Sequence, residues 1–119
     1  MLEKKLRSFR DASHGIQTAW REELNFRIEV VLAVAAFVLS WFLAISAVEW
    51  IIVILMIGFV LAAEAFNTAL EELCDKFKTD PDPHIAKIKD LSAAAVLIAS
   101  ATALIAGIII FVPRFLALL

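Results

Sequence analysis

The 119-residue chain predicts an all-α fold, a polytopic membrane protein in which one N-terminal surface helix precedes three transmembrane helices. The chain is 62% hydrophobic with a mean hydropathy of +0.88, whereas soluble domains run at roughly 45–50% apolar. A chain this short leaves much of its surface outside, so it cannot hide that excess in one core, and a water-soluble monomer is nearly excluded. Yet 20% of its residues are charged, so charge and apolar bulk must occupy separate stretches. Backbone groups in lipid have to bond one another, which makes the charge-free stretches helices rather than strands. The length fits a single domain, residues 1–119.

The first element covers about residues 1–28. Leu2, Leu6, Phe9, Ser13, Ile16, Trp20 and Leu24 recur at spacings of three and four, one face of a helix. Lys4, Lys5, Arg7, Arg10 and Arg21 lie off that stripe. A basic amphipathic helix that feeds into a span is expected in the headgroup plane. The N-terminus is not expected to be a signal peptide, because the apolar run of the first span comes too late, after a charged stretch of nearly thirty residues.

Span one covers about 29–48, because no charge falls between Glu29 and Glu49. Span two, with a cytoplasmic extension, covers about 50–77; it is apolar from Trp50 to Ala63 and then carries Glu64, Asn67 and Thr68. About 78–84 is a turn, since Asp80-Pro81-Asp82-Pro83 breaks any helix. Span three covers about 85–113, with no charge between Asp90 and Arg114. A span needs about 20 mainly apolar residues, and span two reaches that length only with Glu64 and Asn67 near one end. Of the eleven basic residues, all but Arg114 lie before span one or between spans two and three. Cations mark the cytoplasmic side, so the N-terminus and second loop are expected inside and the C-terminus outside.

Composition excludes several function classes. A net charge of −2 gives no case for nucleic acid, and Cys74 alone supports no disulfide framework. His14 and His84 lack a second ligand at helical metal spacing. There is no Gly-x-x-x-x-Gly-Lys and no kinase Gly-rich loop.

The polar residues near the membrane edge carry the functional signal. Glu64 follows an uncharged run, and an ionisable group in a span is a functional candidate by default. Asn67 and Glu71 follow at i+3 and i+7, on the same helix face, and Glu72 and Asp75 extend the acid cluster into water. Carboxylates with an amide are hard oxygen ligands suited to Mg²⁺ that bridges to phosphates. The plainer alternative is that Glu64 pairs with Arg27 to hold helices together. Lys89 and Asp90 stand at the mouth of span three, and Glu22, Glu23, Arg27 and Glu29 stand just before span one. Three charged sets at one depth are consistent with one composite site. Ser92 to Ala95 are small enough for close helix approach, and for Ala93 to Ala95 packing is the better reading.

The stretch Glu64-Ala-Phe-Asn67-Thr-Ala-Leu-Glu71, then Asp75, then Ala86-Lys-Ile-Lys89-Asp90-Leu-Ser-Ala-Ala-Ala-Val96 resembles the signature of the prokaryotic diacylglycerol kinase family. Gly15 and Glu23-Leu-Asn25-Phe26-Arg27-Ile28-Glu29 resemble it too, so the likeness covers nearly the whole chain. The resemblance implies a homotrimer in the bacterial cytoplasmic membrane, with sites between subunits, that transfers the γ-phosphate of MgATP to a lipid hydroxyl. It implies Glu64 as general base, with Asn67 positioning the reacting groups. Glu23 and Glu71 would hold the Mg²⁺ that travels with ATP. Lys89 and Asp90 would contact the nucleotide, together with Asp80, Pro81 and Asp82. Trp20, Phe26, Arg27, Glu29 and Ala93 would border the lipid, although Ala93 stands where close relatives have serine. The expected reaction converts 1,2-diacylglycerol to phosphatidic acid. Undecaprenol kinase of the same family is the first alternative, and a small non-enzymatic transporter subunit is the more distant one.

Overall fold

The computed structural model describes residues 1–77 and 82–119. They form four helices: α1 Leu2–Glu22, α2 Leu24–Phe42, α3 Ala47–Lys76 and α4 Pro83–Leu116. The last three are long and apolar enough to cross a membrane. α3 packs mainly along α4, α2 packs along α3, and α1 touches the start of the bundle.

The break between α1 and α2 falls at Glu23, which is extended at φ −113° and ψ 109°, earlier than the residue 28 expected for the end of the surface helix. Arg27 accounts for the position. Its guanidinium donates to the carbonyls of Trp20 at 2.9 Å and Arg21 at 3.0 Å. The last carbonyls of a helix have no partner in their own helix, and a cation there also meets the negative end of the helix dipole. One side chain from the first turn of α2 thus closes the end of α1 and sets the hinge. Asn25, Phe26 and Arg27 belong to the spanning helix instead of the surface helix.

α2 also ends earlier than the expected residue 48. The chain reverses at Leu43–Ser46, where Ala44 takes a left-handed φ of 49°. Ser46 then caps α3 in a reciprocal arrangement. Its backbone N–H donates to the Glu49 carboxylate at 2.9 Å, and the Glu49 N–H donates to the Ser46 hydroxyl at 3.2 Å. Arg114, from the last turn of α4, pairs with Glu49 and donates to the Ala44 carbonyl at 3.2 Å. Glu49 lies outside the apolar run of α3, and the Arg114 guanidinium followed by the Ser46 N–H holds its carboxyl down to about 2. α4 passes Pro113 and ends at Leu116, because a proline in the last turn removes only one hydrogen bond.

Close to this turn lies the core, made of Leu43, Ile45, Val53 and Ile110 with Trp50 and Phe111 packed on it. Ser40 is fully buried nearby and donates to the Ala36 carbonyl at 2.6 Å, so its hydroxyl brings no unpaired group into the apolar end. The core and the Arg114–Glu49 pair therefore clamp one end of the bundle, and Glu64, Asn67, Glu71 and Ser92 lie toward the other. Only 11–17% of the most apolar stretch of each long helix is buried within the chain. The remaining apolar faces, with Val31, Ile54, Leu97 and Ile105 among them, are open to lipid or to further copies of the chain.

Candidate active site

The site is built on the helical register of α3. Val53 and Val60 are buried at 6% and 5% exposure, and the next step of that stripe is Glu64, also at 5%. A 3.6-residue period that buries an apolar stripe therefore buries this carboxylate as well. Among the described residues the ion pairs are Lys89–Asp75 and Arg114–Glu49, so the expected alternative, an Arg27–Glu64 pair, does not form. Arg27 is committed to closing α1. The charges that act on the Glu64 carboxyl are those of Glu29, Glu23 and Glu71. Glu23 comes from the hinge, Glu29 from α2 and Glu71 from two turns further along α3. Three of the residues singled out in the sequence thus gather around a fourth.

Asn67 and Glu71 lie on the same stripe and are tied to each other and to α4. The Asn67 amide donates from Nδ2 to Glu71 Oε1 at 3.1 Å, and the Ser92 hydroxyl donates to Asn67 Oδ1 at 2.7 Å. Toward the end of α3, Lys89 Nζ donates to Asp75 Oδ1 at 2.9 Å across the same helix pair. Asp75 is thereby the partner of the lysine expected to meet phosphate. Asp90 and Ala93 are exposed on α4. Asp82 caps α4, accepting from the His84 N–H at 2.8 Å. Asp80 and Pro81 lie outside the described residues.

Two apolar clefts open beside this cluster. One, of about 720 Å³, lies between α1 and the bundle and is lined by Trp20 and Phe26 with Ile16, Leu61 and Ala65. The other, of about 540 Å³, runs down α3 between α2 and α4 from Glu29, past Val53 and Val60. The residues expected to border a lipid are therefore divided. Trp20 and Phe26 line the first cleft, Glu29 opens the second, Arg27 is at the hinge, and Ala93 lines neither.

The donor set suits a magnesium ion that arrives with phosphates. Glu23 and Glu71 offer hard carboxylate oxygens, and the charges of both act on Glu64. Among the described residues no three His, Cys, Asp or Glu side chains form a cage for a resident ion. Mg²⁺ is commonly held in this way, by one or two carboxylates plus substrate phosphate and water. Cys74 is buried at 3% exposure on α3 and is a free thiol.

Some partners were not legible in the sequence. Ser92 reaches Asn67 across 25 positions of chain, a contact that its small size does not announce. Asp75 reaches water as expected and also meets Lys89, a partner that spacing along one helix does not show. Helical spacing along α3 and α4 does predict which faces these side chains share, but the α3–α4 register that joins them is tertiary. The Ser46-x-x-Glu49 capping box is a local pattern that hydropathy and charge counting pass over.

The family model for prokaryotic diacylglycerol kinase matches residues 10–111. An undecaprenol kinase of Bacillus subtilis (strain 168) is 32% identical over 113 residues, which is 95% of this chain and 92% of that protein. A diacylglycerol kinase of Escherichia coli (strain K12) is 31% identical over 101 residues, 85% of this chain and 83% of that protein. A diacylglycerol kinase of Synechocystis sp. is 35% identical over 113 residues, 94% of this chain and 65% of that protein. The family match reaches into all four helices, covering α2 and α3 whole, and includes every residue of the Glu64–Asn67–Glu71–Ser92 cluster. With its three apolar helices, the chain is an integral membrane protein that belongs to the prokaryotic diacylglycerol kinase family.

Proposed function

We propose that the protein is a lipid kinase that transfers the γ-phosphate of MgATP to the hydroxyl of 1,2-diacylglycerol, giving phosphatidic acid and ADP. The observation that carries this is Glu64, a buried carboxylate without an ion-pair partner among the described residues. It sits one helical turn from an amide and two from a second carboxylate. Phosphoryl transfer asks a protein mainly for positioning and charge neutralisation. Glu64 takes the proton of the lipid hydroxyl as that oxygen attacks the γ-phosphorus and the bond to the ADP oxygen breaks. Asn67 positions the reacting groups. Glu23 and Glu71 hold the Mg²⁺ that accompanies ATP, and the ion neutralises phosphate charge. Lys89 exchanges Asp75 for the phosphates, and Asp90 and the turn at Asp80, Pro81 and Asp82 meet the rest of the nucleotide.

Trp20, Phe26, Arg27, Glu29 and Ala93 border the lipid. Glu64 lies at the boundary where water-borne ATP and a lipid headgroup can both reach it. The surface helix α1 rests on the membrane with the N-terminus and second loop cytoplasmic, as the distribution of cations supports. The open apolar faces of α2, α3 and α4 support a homotrimer with sites between subunits. Concentration of the polar groups at one end of the bundle argues against a conducting subunit, which needs polar groups along the whole path.

The second reading is an undecaprenol kinase of the same chemistry. It is favoured by the Bacillus subtilis relative of that name, which aligns with 95% of this chain. The deciding experiment is a kinase assay in detergent with both lipids side by side. Phosphate transfer to diacylglycerol is the expected outcome. Transfer to the polyprenol alone transfers the proposal to the second reading, and transfer to neither overturns both.

A further inference from the structure

We propose that Ser92 is a positioning residue for the nucleotide side of the reaction. Its hydroxyl anchors the Asn67 amide, and the amide engages one oxygen of the Glu71 carboxylate, which would leave the other for a phosphate-bound magnesium ion. The inference rests on the kinase reading above.

Three groups form a directed chain. Glu71 as a carboxylate can only accept, so the amide must turn its NH₂ toward Oε1, the 3.1 Å contact. The amide oxygen then points the opposite way, and the Ser92 hydroxyl donates to it at 2.7 Å. Reversing the amide would set its oxygen against the carboxylate, acceptor facing acceptor. The carboxylate therefore selects the amide orientation, and the hydroxyl, from α4, anchors the amide so selected. With Oε1 engaged by the amide, Oε2 is the oxygen left for a metal to take.

Two further features separate Ser92 from a packing serine. It is buried at 6% exposure, where a hydroxyl needs a partner. A serine within a helix commonly bonds back to the carbonyl four residues before it, but this one reaches across to α3 instead. Ser92 also lies one turn beyond Lys89 on α4, on the same face. Its bond registers the helix that carries the phosphate-binding lysine against the helix that carries the metal carboxylate. The Lys89–Asp75 pair near it is half-exposed and has to open when phosphate binds, so it cannot hold that register during turnover.

The test is steady-state kinetics on the full-length protein in lipid–detergent micelles, with Ser92→Ala, Ser92→Thr, Asn67→Ala and the Ser92→Ala/Asn67→Ala pair. Affinity for a non-hydrolysable MgATP analogue is measured in parallel. Loss of one neutral hydrogen bond predicts that Ser92→Ala raises the KM for MgATP about fivefold, with the KM for lipid unchanged. Ser92→Thr, which keeps the hydroxyl, restores most of the loss. In the Asn67→Ala background, Ser92→Ala has no further effect on analogue affinity. An unchanged KM for MgATP, an equal rise in both KM values, or independent effects of the two substitutions overturns the assignment. If Ser92→Ala does not fold, Ser92→Cys replaces it, with similar size and a weak donor. Glu64→Gln run beside them separates the two readings. An inactive Glu64→Gln with an unperturbed Ser92→Ala defeats only the positioning role, whereas a fully active Glu64→Gln defeats the base assignment itself.

Discussion

Glu64→Gln isolates the chemistry from the fold. Glutamine has the shape of glutamate, so the stripe of Val53, Val60 and residue 64 keeps its packing against the bundle. No ion pair is lost, because Glu64 has none among the described residues. A neutral amide is also less costly to bury than a carboxylate, so stability is expected to hold or rise slightly. What disappears is the group that accepts the proton. Positioned general bases contribute about 10²- to 10⁴-fold, so kcat is expected to fall by that factor, ~3–5 kcal/mol of barrier. Analogue binding and oligomer size are expected to match the parent protein, since the change leaves Glu71, Lys89 and the apolar faces untouched. The assay couples ADP release to a chromophore in micelles that contain diacylglycerol, with nucleotide affinity measured by titration. A variant that keeps turnover within about tenfold of the parent refutes the assignment, because that is below the smallest effect expected of a base.

Glu71→Ala is expected to weaken MgATP binding while leaving the lipid KM alone; titration with the analogue at fixed Mg²⁺ checks it, and unchanged affinity removes Glu71 as a metal ligand. Ser46→Ala removes the cap of α3 and is expected to cost ~1 kcal/mol of stability without altering turnover, read as thermal unfolding in detergent. The Glu49 carboxyl, held at about 2 in the fold against an ordinary 4.5, gives a pH-dependent contribution. A depressed acid stabilises above its unfolded value and loses that stabilisation as pH falls from about 4.5 toward 2. The unfolding temperatures of the parent and Glu49→Gln should therefore differ at neutral pH and converge in acid, and a gap that persists at low pH counts against the Arg114 clamp.

How much of the fold was legible depends on which interactions were local. The apolar runs located three helices because lipid demands them, whatever the partners. Helix ends were set by longer-range side chains. Arg27 reaches back over the hinge to Trp20 and Arg21, which moves the break to Glu23. Arg114 reaches across 65 positions to Glu49 and 70 to Ala44, which fixes a turn that charge-free sequence extended to Val48. Charge counting treated both arginines as orientation markers. Both are also hydrogen-bond donors to helix-end carbonyls, a use that hydropathy does not register.

The candidate site shows the same division more sharply. Glu64, Asn67 and Glu71 were legible because helical periodicity alone puts them on one face. Their relation to α4 was not, because the distance from Asn67 to Ser92 depends on how far α4 slides along α3. That slide is set at the opposite end, where Arg114 ties the end of α4 to the start of α3 and Val53 and Ile110 share one core. Two rigid helices pinned at one end bring their other ends into a fixed register, so the far clamp and the polar cluster are parts of one mechanical arrangement. A single chain nonetheless leaves the lipid-facing residues in two separate clefts, with Ala93 in neither. If Trp20, Glu29 and Ala93 serve one lipid, a second copy has to bring them together, and the uncovered apolar faces of the same helices are where that copy would seat. Composition pointed to such open faces at the outset: a chain 62% hydrophobic buries little of itself alone and meets lipid or further copies with the rest.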